Sequence, residues 1–274
     1  MIRLFVNILI LFSIFSNAQI SKATYALKIS MDMDLSTNPN IPKNIADRIK
    51  SRLAKPTNFN LFFDQSKSIY RIEEKLDNIQ GGNRRGMSMR SASDDANIVY
   101  TDLTLKEQVS QQELFGKLFL VSRNHKKRKW NFTGDSKQIG SYTAYEATFT
   151  HMQTTSQFGM SFWMRNDKNK TVEEPKKEKV TVSVWFTPDI PISAGPASYY
   201  GLPGLVLMVQ DNNRVIVCKE IKMNVIENIK LDSPKRGQKV NQKEFSNIRI
   251  EKTKEMRDSF RSNRNKGNGS RQIR

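Results

Sequence analysis

The chain has 274 residues, a formal net charge of +18 and only 37% hydrophobic residues. This length can bury a substantial core, and the low apolar content predicts polar appendages around it. Cys218 is the single cysteine, which excludes an intrachain disulfide scaffold. Because Cys218 lies within an apolar alternation, it is interpreted as a small buried core residue rather than a nucleophile.

Residues 1–18 have the pattern of a signal peptide. Arg3 supplies a positive charge, the segment 4–15 is mostly apolar, and Ser16-Asn17-Ala18 offers a cleavage site. The apolar run is shorter than the ~20 residues that span a bilayer, which favours export over a membrane anchor. We therefore expect cleavage after Ala18 and a periplasmic, outer-membrane-associated or secreted protein.

The positive charge is concentrated near the C-terminus. Residues 235–274 contain thirteen Lys or Arg and four acidic residues, a net charge of +9. A basic segment of this kind attracts polyanions. For an exported protein we expect an anionic envelope surface or an outer-membrane protein as the partner rather than nucleic acid; a solvated, solubilising tail is the alternative.

The first half of the chain reads mainly as strands. Apolar residues at every second position of 23–35 predict a strand with one buried face. Spacing of i, i+4 and i+8 in 43–54 predicts a short amphipathic helix. The segments 59–63 and 68–72 form a predicted hairpin. Residues 78–96 carry few apolar groups and are interpreted as a mobile insertion.

Further short strands are predicted along the middle of the chain. They cover 98–102, 105–109, 114–121, 130–133 and 142–151, with 158–164 as a candidate partner of the last strand. Residues 165–179 are almost wholly polar and are predicted to protrude as a second mobile insertion. Many short strands with turn signals predict a mainly β fold: a curved antiparallel meander, either a half-barrel or a sandwich, with one or two short peripheral helices.

The pattern of residues 180–225 organises the rest of the chain. An alternating strand at 180–186 leads into a loop at 188–204 that is rich in proline and glycine. A second strand at 206–209 turns back at 211–213 into a third at 215–225. This stretch completes a predicted β domain over residues 19–230.

Residues 231–274 form a basic C-terminal tail. The segment 231–240 is interpreted as a linker, and 241–261 as a candidate helix because apolar residues recur near helical spacing. Glycines, asparagines and arginines in the last ten residues predict disorder.

Three blocks of the sequence resemble one family. Gly201-Leu202-Pro203-Gly204-Leu205-Val206 resembles the signature of the GLPGLI family of exported Bacteroidetes proteins, with Val206 in the last position. The stretch 185–196 is similar to the one that precedes that signature. The upstream block is matched by Trp130, Lys137, Ile139, Gly140, Tyr142 and Ala147. The resemblance runs from Trp130 to about Val225, and it implies export and a predominantly β fold but no established activity.

The glycines and prolines of the signature predict a tight corner. Pro203 fixes φ near −65°, and we expect Gly204 to take the positive φ of a type II turn. Leu202 and Leu205 can then enter the core from either side. We favour an architectural corner. The alternative is a binding loop over 188–204 that uses Asp189, Tyr199 and Tyr200, because aromatic pairs on rigid loops suit peptide or sugar contacts.

Spacings typical of catalysis are missing from the sequence. Its two histidines, His125 and His151, do not form a zinc motif, and neither a nucleophile elbow nor a phosphate loop is present. Adjacent carboxylates occur only in or beside polar stretches, where solvated surface is the more frequent role. These pairs are Glu73-Glu74, Asp94-Asp95 and Glu173-Glu174. We therefore predict no catalytic, cofactor-binding or metal-binding residues.

The sequence favours an exported, non-enzymatic envelope protein that acts as a binding or accessory factor. One alternative is a β-rich envelope hydrolase acting on peptide or glycan, which would need His151, Asp189 and a hydroxyl residue in one cleft. Another is a carrier of an apolar ligand. The carrier would need a large apolar cavity lined by the odd positions of 23–35.

Overall fold

The computed structural model describes residues 19–29, 43–73, 98–124, 128–154, 177–226 and 229–269. This part of the chain contains twelve strands and two helices. They are β1 (Ser21–Ile29), α1 (Lys43–Ala54), β2 (Thr57–Phe63), β3 (Lys67–Ile72), β4 (Ile98–Asp102), β5 (Glu107–Leu114), β6 (Lys117–Asn124), β7 (Asn131–Ile139), β8 (Tyr142–Thr154), β9 (Lys177–Thr187), β10 (Leu205–Asp211), β11 (Arg214–Lys222), β12 (Gln238–Asn241) and α2 (Gln242–Gly269). Neither helix is long and apolar enough to cross a membrane.

All twelve strands belong to one sheet in the order β12-β6-β5-β4-β3-β2-β1-β11-β10-β9-β8-β7. Because β1 pairs with both β2 and β11, two antiparallel meanders run outward from it in opposite directions. The pairing of β12 with β6 is parallel. The sheet is not closed into a barrel. The predicted mainly β meander is confirmed, and as a single open sheet rather than a sandwich.

The alternating pattern of β1 places one face of the strand in the core. Ala23, Tyr25 and Leu27 are buried, as the sequence predicts. The Tyr25 hydroxyl donates a hydrogen bond to the Val206 carbonyl at 2.6 Å, which ties the central strand to the start of β10. The predicted continuation of this strand to residue 35 lies outside the described residues, as do the signal segment, the predicted insertion at 78–96 and residues 165–176 of the second. The second insertion is wrong in its last three residues, because Lys177 begins β9.

The predicted hairpin of 59–63 and 68–72 is confirmed with slightly earlier strand starts, and the predicted helix at 43–54 is confirmed with the same ends. In the β2–β3 turn, Asp64 Oδ1 accepts hydrogen bonds from the amides of Ser66 and Lys67, both at 2.7 Å. This is the local bonding by which aspartate favours turns. Strand β5 begins at Glu107 rather than at residue 105, because Lys106 adopts φ of 56° in the preceding turn.

Two strands near the far edge differ from the sequence prediction. Strand β7 continues to Ile139 instead of ending at 133, and most of its residues are exposed because it is an edge strand. Strand β8 pairs with β7 and β9. The candidate partner at 158–164 lies outside the described residues.

The predicted linker at 231–240 is wrong in its last part, since it contains β12. Val240 of β12 and Phe245 of α2 pack with Leu114, Phe119 and Val121 in a small core of their own. This packing explains why a short polar strand is added beside β6. Helix α2 also continues to Gly269, beyond the predicted end at residue 261, so the prediction of disorder for the last ten residues is wrong for residues 265–269.

The start of α2 is fixed by a reciprocal cap. The amide of Glu244 donates to Asn241 Oδ1 at 2.9 Å, and the amide of Asn241 donates to Glu244 Oε2 at 2.8 Å. This capping box satisfies backbone donors that the first turn of a helix leaves unpaired.

The main core lies between the curved sheet and the loop at 188–204. Ile190, Ala194 and Leu202 of this loop are buried against strands from both meanders. Gln108 Nε2 on β5 donates to the Ala197 carbonyl at 3.0 Å. In a flat sheet β5 and β10 would lie roughly 30 Å apart. The sheet therefore curves around the loop, which fills its concave side.

Candidate functional site

The signature hexapeptide forms a corner, but not by the predicted turn. Leu202 and Leu205 are buried, as predicted. The prediction of a positive φ at Gly204 is wrong, since the positive φ belongs to Gly201, at 90°. Gly204 is needed for another reason. A Cβ there would lie 2.0 Å from the Thr187 carbonyl oxygen, so only glycine allows the two backbones to approach.

Backbone hydrogen bonds hold the loop on both sides of the corner. The amides of Leu205 and Val206 donate to the carbonyls of Ile190 and Ala194, each at 3.0 Å. A Cβ on Gly195 would lie 1.9 Å from the Tyr199 carbonyl oxygen. The loop is thus closely packed onto itself and onto β10.

The three residues of the predicted binding loop have different environments. Tyr199 and Tyr200 are only 7% and 5% exposed, whereas Asp189 is exposed. The Tyr199 hydroxyl donates to Asp211 Oδ2 at 2.6 Å, and the Tyr200 hydroxyl donates to the Lys106 carbonyl at 3.2 Å. The rings therefore pack the loop against the sheet and do not form an exposed aromatic pair.

The half-buried Arg128 also contacts this loop. The guanidinium carbon of Arg128 lies 4.5 Å from the Phe149 ring centroid, 5.5 Å from that of Trp130 and 6.0 Å from that of Tyr199. Arg128 also donates to the Ser198 carbonyl. Burial lowers the pKa of Arg128, and Tyr199 opposes that shift. The cation–π contacts give this charge a partly desolvated but stabilising environment.

The arrangement required for the hydrolase alternative is not formed. His151 pairs with Val180 near one end of β9, while Asp189 follows the opposite end, beyond Phe186. The six residue steps of extended strand from Val180 to Phe186 separate the two positions by roughly 20 Å. No group of three His, Cys, Asp or Glu side chains in the described residues could hold a metal.

The other candidate catalytic groups of the sequence either take part in hydrogen bonding or core packing or lie outside the described residues. Glu73 accepts a hydrogen bond from Asn58 Nδ2 at 2.9 Å, whereas His125, Glu74 and the other two carboxylate pairs fall outside the described ranges. Cys218 is half-buried and packs against the core. Burial raises the pKa of its thiol to about 12, so the thiol stays protonated at neutral pH.

A small, partly open cavity lies where the loop meets the curved sheet. Its volume is about 30 Å³, room for about two water molecules. Its walls include Leu27, Phe59, Tyr70, Val99, Gln108, Arg123, Ala197, Ser198, Tyr199, Val209, Asp211, Arg214 and Ile216. The core face of β1 is otherwise filled by packed side chains, so the described residues do not provide the large apolar cavity that a carrier needs.

Two buried oxygen atoms on the cavity walls have no hydrogen-bond partner among the described residues. Asp211 Oδ2 accepts from Tyr199 and, at 2.8 Å, from Arg214, but Oδ1 is unpartnered. Gln108 Nε2 donates to Thr101 Oγ1 at 3.0 Å, yet Oε1 is unpartnered. A buried acceptor without a donor costs about 1–3 kcal/mol. The cavity is therefore suited to a guest that donates hydrogen bonds.

An open groove adjoins the cavity. It lies between β5, β6 and the start of α2 and has a volume of about 730 Å³. Its lining is polar and consists of Glu107, Gln108, Val109, Ser122, Arg123, Asn124, Asn241, Gln242 and Lys243. Gln108 and Arg123 line both spaces, so the groove and the cavity are neighbours, and we call the two together the Gln108 site.

Comparisons with known proteins support only a coarse grouping. Residues 130–208 match a family described as "Protein of unknown function (Porph_ging)". No curated protein is significantly similar in sequence. Two solved structures, "Structure of PNGF-II in C2 space group" and "Structure of PNGF-II in P21 space group", are 14% and 15% identical with TM-scores of 0.48 and 0.47. They match over 85% and 84% of this chain, which spans about a third of their length (33%). The middle of this chain is thus similar to a family without an assigned function.

Proposed function

We propose that the protein is an exported, non-enzymatic β protein of the cell envelope that acts as a binding or accessory factor. In this proposal it belongs to the GLPGLI family, whose signature residues 201–206 resemble, and helix α2 carries its contact with anionic membrane lipid. The signal pattern of residues 1–18 supports export. The family match at 130–208 overlaps the blocks that carry the resemblance.

The observation that carries the proposal is the way α2 is attached. Phe245 and Ile248 of its first turns pack on β6, while the side chains described between Ile250 and Ser259 are mostly exposed. At 1.5 Å per residue, a helix of 28 residues is roughly 42 Å long. The described side chains of α2 from Ile250 to Ser259 are therefore mostly available to a partner.

The charge along α2 is uneven. Residues 242–269 contain eight Lys or Arg and four acidic residues, a net charge of +4. All four acids precede Ser259, whereas the residues from 259 to 274 contain five Lys or Arg and no acid. A basic residue near an anionic membrane surface contributes about 1 kcal/mol, and salt screens this attraction. The end of the chain is thus suited to salt-sensitive binding to anionic lipid.

Charge removal at the end of the chain tests this proposal. The full mature chain carrying R261Q, R264Q, K266Q, R271Q and R274Q is compared with the unchanged protein on phosphatidylglycerol vesicles and on neutral phosphatidylcholine vesicles. We expect the variant to bind the anionic vesicles at least tenfold more weakly and with a smaller salt dependence. Vesicle cosedimentation at several salt concentrations measures both quantities.

A matched control removes the same charge from the exposed surface of the sheet and its connections. K28Q, K117Q, K129Q, K179Q and K219Q replace five exposed lysines outside α2. This control should retain most of the binding. Equal weakening in the two variants, or no binding of the unchanged protein to anionic vesicles, would contradict a role for α2.

A further inference from the structure

The Gln108 site combines a buried pair of acceptors with an open polar groove. We infer that it binds a neutral ligand rich in hydroxyl groups, such as a sugar, which inserts two neighbouring hydroxyl groups into the cavity. One hydroxyl would donate to Asp211 Oδ1 and the other to Gln108 Oε1, the two atoms without a partner. Hydroxyl groups suit these positions because each supplies one donor.

The charges around the cavity exclude ionic guests. A cation at Asp211 Oδ1 would meet Arg214, whose guanidinium already lies 2.8 Å from the other oxygen of the same carboxylate. Arg123 lines the cavity as well, which adds a second positive charge. An anion would instead face two acceptor oxygens. A neutral donor is the class of guest that avoids both repulsions.

The cavity volume limits what can enter. About 30 Å³ corresponds to two water positions, which the oxygens of two adjacent hydroxyl groups can occupy. Val99 and Tyr70 provide apolar walls for the carbon atoms between them. A primary amide fits less well, because its carbonyl oxygen would need a donor in a cavity that already holds two unsatisfied acceptors.

The side chains of the outer groove can form hydrogen bonds with the rest of such a ligand. Its side chains include amides and a hydroxyl that both donate and accept hydrogen bonds, as sugar hydroxyls do. These residues are Gln108, Ser122, Asn124, Asn241 and Gln242. Because the capping box fixes Asn241 and β12 is paired to β6, this wall of the groove is held in place. The site is separate from the end of α2, so its binding should not depend on salt.

The test uses the full mature chain with defined probes. Ethane-1,2-diol, glucose and cellobiose are titrated while the side-chain amide signals of Gln108 are followed by NMR, with acetamide, methylammonium chloride and sodium acetate as comparison probes. We expect saturable shifts with the three hydroxyl compounds, with affinity rising at least tenfold from the diol to cellobiose because the groove adds contacts. The affinities should be unchanged by salt.

A variant that partly fills the cavity provides a second test of the inference. V99I adds one methylene group to the wall without removing a polar atom and should weaken glucose binding at least tenfold. V180I, the same change at a half-buried position on β9, should leave binding unchanged. A crystal structure grown with glucose should show hydroxyl oxygens on Asp211 Oδ1 and Gln108 Oε1.

Several outcomes would overturn the inference. Only water in the cavity in the presence of glucose would do so, as would equal binding by V99I and the unchanged protein. Stronger binding of acetamide, methylammonium or acetate than of the diol would point to a different guest. Loss of vesicle binding through α2 leaves these results unaffected, so this inference and the proposed function fail independently.

Discussion

Glycine is required at residue 204 for steric rather than conformational reasons. A Cβ on Gly204 would lie 2.0 Å from the Thr187 carbonyl oxygen and 2.6 Å from the carbonyl carbon. Both are backbone atoms, which cannot move away as the end of a flexible side chain could. The amide of the next residue, Leu205, is bonded to the Ile190 carbonyl, so the loop has little freedom to shift. The corner therefore requires a residue without a Cβ atom at position 204.

Substituting this glycine should destabilise the whole domain. We expect G204A to lower the free energy of unfolding by more than about 3 kcal/mol, because the loop that fills the core must move. The matched control is G134A, where φ is +88° and nothing lies within 4 Å of the added Cβ. Backbone strain alone should cost about 1–2 kcal/mol there. Urea unfolding measures both, and equal losses would contradict the steric explanation.

The residues of the Gln108 site were not predicted from the sequence, and their positions in the fold show why. Gln108 and Ser110 are the buried positions at the start of β5, so the inward face of this strand is polar and gives no hydrophobic alternation. Asp211 was predicted only as a turn residue. Its burial depends on Tyr199 and Arg214, which reach it across the loop and the turn. The site arises from the curvature of the sheet, which a local pattern does not contain.

At the scale of elements, β12 and α2 form a unit attached to the sheet by few contacts. Phe245 packs against Phe119 with their ring centroids 5.4 Å apart, and Val240 lies beside them. The four residues of β12 add a parallel ladder with β6, and Arg123 Nε on β6 donates to Gln242 Oε1 at the start of α2. Such a small contact area predicts local opening at a lower free energy than global unfolding.

Removing the central aromatic ring should release this unit without unfolding the sheet. We expect F245A to raise amide hydrogen exchange in β12 and in the first turns of α2 by at least tenfold. Exchange in β1 should stay nearly unchanged. I250A on the same helix is the control, because Ile250 is 57% exposed. Exchange that rises equally in β1 would show that the unit does not open on its own.

The sequence predicts elements well where one face is buried and poorly at the sheet edges. Strands such as β1 and β9 alternate, and their positions follow from that pattern. Most residues of β7 are exposed, so this strand shows no alternation of apolar and polar positions. The four residues of β12, most of them polar, show none either. β12 pairs with β6, which is distant in the chain, whereas β7 pairs with the next strand, β8, as an exposed edge. The same reasoning explains the error at Gly204, whose partner Thr187 precedes it by a whole loop.

At the scale of the whole molecule, both edges of the sheet are protected. Strand β12 is followed directly by α2, while β7 contains an irregularity between Phe132 and Ser136 with Gly134 at φ of 88°. Lys137 on β7 lies across the face of the sheet, with its Nζ 3.8 Å from the Trp185 ring centroid. Bulges and lysines on edge strands oppose edge-to-edge pairing with other chains. A long open sheet can therefore persist without closing.

The core on the concave side of the sheet buries tyrosine hydroxyl groups away from water. The stability of the whole fold therefore depends on pH in the alkaline range. Burial raises the pKa of Tyr200 to about 12, with Arg128 opposing the shift, and raises the pKa of Tyr25 well above its usual range. The unfolded chain ionises its tyrosines near pH 10. Because the folded pKa values are higher, stability is fully present below about pH 10 and is lost as pH rises through about 12.

The variant Y200F separates the contribution of one of these groups. At neutral pH it should be about 1 kcal/mol less stable, because the hydrogen bond to the Lys106 carbonyl is lost. Between pH 10 and 12 the difference from the unchanged protein should shrink, since phenylalanine has no proton to lose in either state. Urea unfolding at stepped pH measures this convergence, with Y145F at an exposed position as the control. Stability curves that stay parallel up to pH 12 would show that the Tyr200 proton is not retained by the fold.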